Sequence, residues 1–275
     1  MQTVLTGLVA LAILTLFGLP VLAFLRDSLR VRLLPALPVF GVIFIVIVSA
    51  ALNWALPMRV VAWIVLGVAI AATVSGFVIA RPVWRRYRFV ARYLPLVVVV
   101  ALVAGTIAWL PSFLVGSPLV VQPSSNSDAI WYVASARWIT DHPLFAVPDI
   151  GTSPTTGVDG VLFGPPIEAQ RFSTRLGQES VLATVSVLTG IPLVEGFSSW
   201  LDTWAMLGVS GAWVIGEAFR MRVVVRIGFG VLFAVSAALV SQVLAQNASS
   251  VLAAALLPVA IGLVASSVAR SSRAS

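Results

Sequence analysis

The chain contains no cysteine and no lysine, and a single histidine among its 275 residues. Without cysteine there are no disulfides and no thiolate metal sites, and cysteine usage says nothing about the redox compartment. All 17 basic residues are arginine, a bias that fits a GC-rich coding sequence and specifies no guanidinium site by itself. Charge is also scarce: 10% of residues are charged and 60% are hydrophobic, with a mean hydropathy of +1.06. Soluble domains carry about a quarter charged residues, so a soluble globular fold is excluded. There is no P-loop, no dinucleotide fingerprint, no H-E-x-x-H and no G-x-S-x-G. The first residues, Met1-Gln2-Thr3, lack the charged n-region of a cleaved signal peptide, so the first apolar stretch is expected to stay as an anchor.

What the chain does have is long apolar runs. A hydrocarbon core of about 30 Å takes roughly 20 apolar residues per helix. Seven stretches meet that length: about 3–25, 34–56, 60–80, 94–115, 196–218, 223–245 and 250–269. The expected fold class is therefore all-α, a polytopic bundle of about seven transmembrane helices. A formal charge of +7 in a soluble protein suggests nucleic acid, but here the arginines lie between apolar stretches, so no nucleic-acid partner is expected. Thirteen of the 17 follow the first, third, fifth and seventh stretches: Arg26, Arg30 and Arg32; Arg81, Arg85, Arg86, Arg88 and Arg92; Arg220, Arg222 and Arg226; Arg270 and Arg273. The positive-inside rule makes that side cytoplasmic. The expectation is a plasma-membrane protein with its N-terminus outside and its C-terminus in the cytoplasm. Anionic lipid at Arg81–Arg88 and a plain stop-transfer anchor with interfacial Trp84 and Tyr87 are both compatible with that scheme.

One polar run interrupts the pattern. It divides the chain into a four-helix region (1–115), an extracytoplasmic loop (116–195) and a three-helix region (196–275). The loop holds seven of the ten acids (Asp128, Asp141, Asp149, Asp159, Glu168, Glu179 and Glu195) together with His142. It is too long for a plain connection. Trp131, Ala134, Ser135 and Trp138 recur at i, i+3, i+4 and i+7, the spacing of an amphipathic helix suited to a membrane interface. Ser124 to Ser127 supply capping residues before it, and Pro143 ends it. Pro148 to Pro166 is rich in glycine and proline and reads as irregular. Leu176, Val181, Leu182, Val185 and Leu188 predict a second helix within Arg171–Gly190, ended by Thr189-Gly190-Ile191-Pro192. Asp202 is the one acid well inside an apolar stretch, and its neighbours Trp200 and Trp204 suggest a place near the interface, within reach of water.

Asn126-Ser127-Asp128-Ala129-Ile130-Trp131-Tyr132, just after a spanning stretch, resembles the start of the first large outer loop of the GT-C superfamily. These are multi-spanning glycosyltransferases that use polyprenyl-phosphate sugar donors. Arg175-Leu176-Gly177-Gln178-Glu179, running on to Leu188-Thr189-Gly190-Ile191-Pro192, looks like that family's passage from a turn through an apolar helix to the next span. The resemblance covers about residues 94–220. Four stretches precede the loop where the commonest family layout has one, and about seven stretches stand where the family usually has eleven or more. The expectation is a short or truncated relative, with room for a second protein chain.

The resemblance implies transfer of a sugar from a lipid-phosphate donor in cell-envelope glycan assembly. Such chemistry needs a carboxylate to take the acceptor's proton and cations to hold the departing phosphate. Asp128 is the candidate base. Arg171 and Arg175, four residues apart, are candidates for holding the phosphate. Asp141 and His142 are further substrate-binding candidates, and they leave room for a divalent cation or a proton relay. Plainer readings stand beside each: Asp128 as a helix cap, Asp141-His142-Pro143 as a helix stop, Arg171 and Arg175 as a solvated face. The alternative function is a non-catalytic membrane protein, a transporter piece or an assembly subunit.

Overall fold

The computed structural model describes residues 2–25, 32–80, 94–115, 128–144, 146, 177–236 and 248–271. Among them all regular structure is helical. The helices are α1 (Gln2–Ala23), α2 (Leu37–Leu52), α3 (Met58–Ala80), α4 (Leu94–Val115), α5 (Asp128–Asp141), α6 (Gly177–Thr189), α7 (Leu193–Ala218), α8 (Val223–Ala234) and α9 (Ala248–Ser271); a short 3-10 turn, Leu34–Ala36, leads into α2.

Four helices are long and apolar enough to cross a membrane: Thr3–Ala23, Leu34–Leu52, Met58–Ile79 and Ala248–Ala265. A fifth crossing is present if α6 and α7 are one broken span, since they pass the test together but are bent by 117°. Against an expected count of about seven, the described residues thus hold four or five. The stretches at 94–115 and 223–245 are where the counts part: Leu94–Leu110 and Val223–Phe233 are shorter apolar helices, and 237–247 lies outside the described residues. The chain is a multi-pass helical membrane protein, and its surface fits that. On α3, Trp63, Val68, Ile70, Val74, Val78 and Ile79 are all exposed, an apolar face that belongs against lipid tails and not water.

The bundle is organised around α7, whose neighbours are α1, α2, α4, α5, α6, α8 and α9. Its residues from Gly196 to Val214 are all buried. The tightest pairing, α1 with α2, uses one glycine from each helix. A Cβ on Gly18 would lie 2.8 Å from the carbonyl carbon of Leu37, and one on Gly41 would lie 2.7 Å from that of Leu14. Absent side chains let the two backbones touch, which is how helices gain contact in a medium as apolar as their own surfaces.

Each end of the bundle has its own polar cluster. At the end where α2 begins, Glu217 accepts a hydrogen bond from Arg32 at 3.0 Å and pairs with Arg226. Trp213 Nε1 donates to the Arg32 carbonyl at 2.7 Å, and the Arg226 guanidinium lies 5.3 Å from the Trp213 ring centroid. The other end, about 24 Å away along the 16 residues of α2, carries Arg59, Arg137, Asp141 and His142. Among the described residues, Arg32 and Arg226 therefore stand at one end and Arg59 and Arg137 at the other.

Candidate functional site

The second end is built on α5, the first helix expected in the loop. The backbone of Asp128 opens it, where an acid is favoured by the helix dipole. The predicted stripe of Trp131, Ala134, Ser135 and Trp138 is only partly the inward face. Ala129, Tyr132, Ala136 and Ile139 are buried along with Ala134 and Ser135, while Trp131 and Trp138 are half-buried. The reason is tertiary: Tyr132 reaches the start of α9, its hydroxyl 2.8 Å from Ser249 Oγ.

The far end of α5 is tied to the α2–α3 turn. Asp141 pairs with Arg59 and lies 3.7 Å from Arg137. An acid at a helix C-terminus is disfavoured by the dipole, and these two cations offset that. Leu144 N–H donates to the Asn53 carbonyl at 2.8 Å, while the Asn53 side chain closes its own turn on the Leu56 carbonyl at 2.9 Å. His142 stacks on Trp138, ring centroids 3.8 Å apart. Asp141 is thus held by arginines, and His142 is held by an indole.

The second loop helix, α6, is not peripheral. Gln178 to Val185 are all buried, and α6 packs against α2, α3, α5, α7 and α9. Val181, Leu182 and Val185 share one apolar cluster with Met58, Val61 and Val65 of α3. The helix ends as the sequence predicts: Gly190 takes a φ of +70°, which glycine adopts without strain. Thr189 Oγ1 donates to the Val185 carbonyl and Ser186 Oγ to that of Ile191, both at 2.7 Å. The chain then enters α7 at Pro192.

Two groups of buried polar atoms stand out in this half of the bundle. Ser49 Oγ on α2 and Asn53 Oδ1 at its C-cap, with Ser180 Oγ and Thr184 Oγ1 on α6, are buried without a hydrogen-bond partner among the described residues. In α7, Asp202 is buried, and among the described residues one of its carboxylate oxygens, Trp200 Nε1 and Trp109 Nε1 of α4 have no hydrogen-bond partner. Burial takes Asp202 out of the reach of water expected for it, because α1, α4 and α9 pack on α7. A Cβ at Gly7 of α1 would lie 2.6 Å from Thr203 Oγ1 and 2.8 Å from the Trp109 ring. Buried polar groups are nearly always satisfied, so such a concentration marks a place with unmet hydrogen-bonding capacity.

Of the five residues singled out in sequence, Asp141 and His142 are adjacent and packed at one bundle end. Asp128 begins the same helix, although its side chain, and Arg171 and Arg175 entirely, lie outside the described residues. Among the described residues no three acidic, histidine or cysteine side chains come together to hold a metal. Sequence reasoning missed Arg59, Tyr132 and the buried Glu179; the one available signal was Glu179 standing at the head of an apolar helical repeat. No family model, no curated protein and no solved structure matches this chain.

Proposed function

We propose that this chain is a plasma-membrane protein of about seven spans, its arginine-rich end in the cytoplasm, that transfers a sugar in the GT-C manner. The donor is a polyprenyl-phosphate sugar and the setting is cell-envelope glycan assembly on the outer face. The reading is supported by one observation above all: α5 is no loose loop segment but is pinned by Tyr132–Ser249 at one side and Asp141–Arg59 at the other. Asp128 opens this held helix, which packs beside α6.

In this reading the acceptor hydroxyl oxygen attacks the sugar's anomeric carbon, and Asp128 takes the hydroxyl proton. The bond from that carbon to the phosphate oxygen breaks with its electron pair going to the lipid phosphate. Arg171 and Arg175 neutralise the charge that develops there, and Asp141 and His142 line the approach. General-base assistance contributes about 10²–10⁴ in rate. Asp128→Ala in full-length chain reconstituted with a radiolabelled polyprenyl-phosphate sugar and envelope-glycan acceptor is therefore expected to lose at least 10²-fold. Retained transfer in that variant, with the protein folded, would remove Asp128 from the role.

A second reading, a non-catalytic transporter piece or assembly subunit, is favoured by the 117° break between α6 and α7 and by the buried Asp202. Broken helices and intramembrane acids mark transport paths. It predicts no sugar transfer and tolerance of Asp128→Ala, with function lost in Asp202→Asn.

A further inference from the structure

The turn between α7 and α8 carries charge that nothing so far uses. Around Glu217 stand four arginines. Arg32 and Arg226 bond its carboxylate, and Arg226 Nε also donates to the Met221 carbonyl at 2.8 Å. The Arg220 N–H donates to the Glu217 carbonyl at 3.0 Å, and the Met221 N–H to that of Gly216 at 2.9 Å, a Schellman-type close of α7. Arg222 follows as the N-cap of α8. Among the described residues, four arginines against one carboxylate leave three positive charges in excess. Arg226 is nearly buried, with 11% of its side chain exposed, whereas Arg32 is 58% exposed and Arg220 and Arg222 are exposed.

Exposed apolar side chains interleave with these cations: Phe219, Val224 and Val225 are 55%, 79% and 52% exposed. Arginine heads beside outward-facing apolar groups match an amphiphile with an anionic head and hydrocarbon tails. A free phosphate would have no use for Phe219 and Val224. Arg220 also occupies the position after a helix end where glycine is the favoured residue, with φ at +56°. The chain carries a guanidinium there against that backbone preference.

We infer that the α7–α8 turn binds the headgroup of an anionic phospholipid, with Arg32, Arg220 and Arg222 on its phosphate and Phe219, Val224 and Val225 along its acyl chains. Glu217 and Arg226 are the positioning pair that holds Arg32 and the turn together. Planar guanidiniums take phosphate oxygens two at a time. The site is independent of the sugar-transfer reading, since it lies at the opposite end of the bundle.

The test is native mass spectrometry of the full chain in micelles doped with equal amounts of phosphatidylglycerol and phosphatidylcholine, with Arg220→Gly, Arg222→Gln, the double variant, and Arg137→Gln from the other end. Arg220→Gly places the favoured residue in the turn, so it folds; gel filtration and circular dichroism verify this. The wild-type chain is expected to retain phosphatidylglycerol in preference. That preference is expected to fall roughly fivefold for each arginine removed and to persist in Arg137→Gln. Unchanged preference in the double variant, or an equal fall in Arg137→Gln, overturns the proposal in favour of diffuse charge attraction. Displacement of the bound lipid by millimolar glycerol 3-phosphate overturns the lipid assignment and leaves a free-phosphate site.

Discussion

Replacing Gly41 by alanine tests the α1–α2 contact most directly, because the structure supplies its own control. A methyl on Gly41 would lie 2.7 Å from the Leu14 carbonyl carbon and 3.1 Å from the Gly18 backbone nitrogen, where ordinary contact begins at 3.4 Å. Both are backbone atoms, which no rotamer change moves aside, and the Leu14 carbonyl oxygen lies closer still, so α1 and α2 must separate by more than the roughly 0.7 Å that the carbonyl carbon alone would require. Overpacking of this kind costs about 1–3 kcal/mol, and a backbone clash belongs near the upper end. Gly67 on α3 has nothing within 4 Å of the same added methyl. Both glycines are inside helices, so the gain of about 0.5–1 kcal/mol from glycine to alanine is common to the two variants. The difference between Gly41→Ala and Gly67→Ala is then the strain alone, about 3 kcal/mol or somewhat over 100-fold in the unfolding equilibrium. Denaturation by SDS in mixed micelles, followed by tryptophan fluorescence, measures it. Gly67→Ala is expected to be neutral or stabilising and Gly41→Ala clearly destabilising. Equal midpoints for the two would refute the backbone contact between α1 and α2.

Glu217→Gln removes the negative charge shared by Arg32 and Arg226 and turns one of the two acceptor oxygens into a donor. The cost is expected at about 2–3 kcal/mol, below the 3–5 of a fully buried pair because Arg32 is largely exposed; the same SDS titration reads it, and a loss under 0.5 kcal/mol would mean that the pair is not formed. Tyr132→Phe deletes one hydrogen bond between α5 and α9 and is expected to cost about 0.6–1 kcal/mol. Its sharper readout is amide exchange: protection along α5 should fall while that of α7 stays unchanged, and unchanged α5 protection would show that Ser249 does not hold the helix.

The membrane character, the helical class and the positions of α1, α2, α3 and α9 are legible in sequence because a helix in lipid needs about 20 apolar residues in a row, although runs of that length at 94–115 and 223–245 hold shorter apolar helices among the described residues. Helix ends were equally readable at Pro143 and at Thr189-Gly190-Ile191-Pro192, where local backbone chemistry decides. Of the described arginines, Arg32 and Arg226 meet at one end of the bundle and Arg59 and Arg137 at the other, as charges at helix ends do. What the sequence could not place was depth and facing. The Trp131–Trp138 stripe reads as an amphipathic face suited to a membrane interface, yet it is Tyr132 that goes inward, where Ser249, more than 100 residues away, meets its hydroxyl. Glu179 and Asp202 look like loop and interface acids until α6 folds back between α2 and α3 and three helices close over α7. Hydropathy counts what a residue is, whereas burial depends on which distant helices cover it, so only the tertiary structure decided where the unmet polar groups gather.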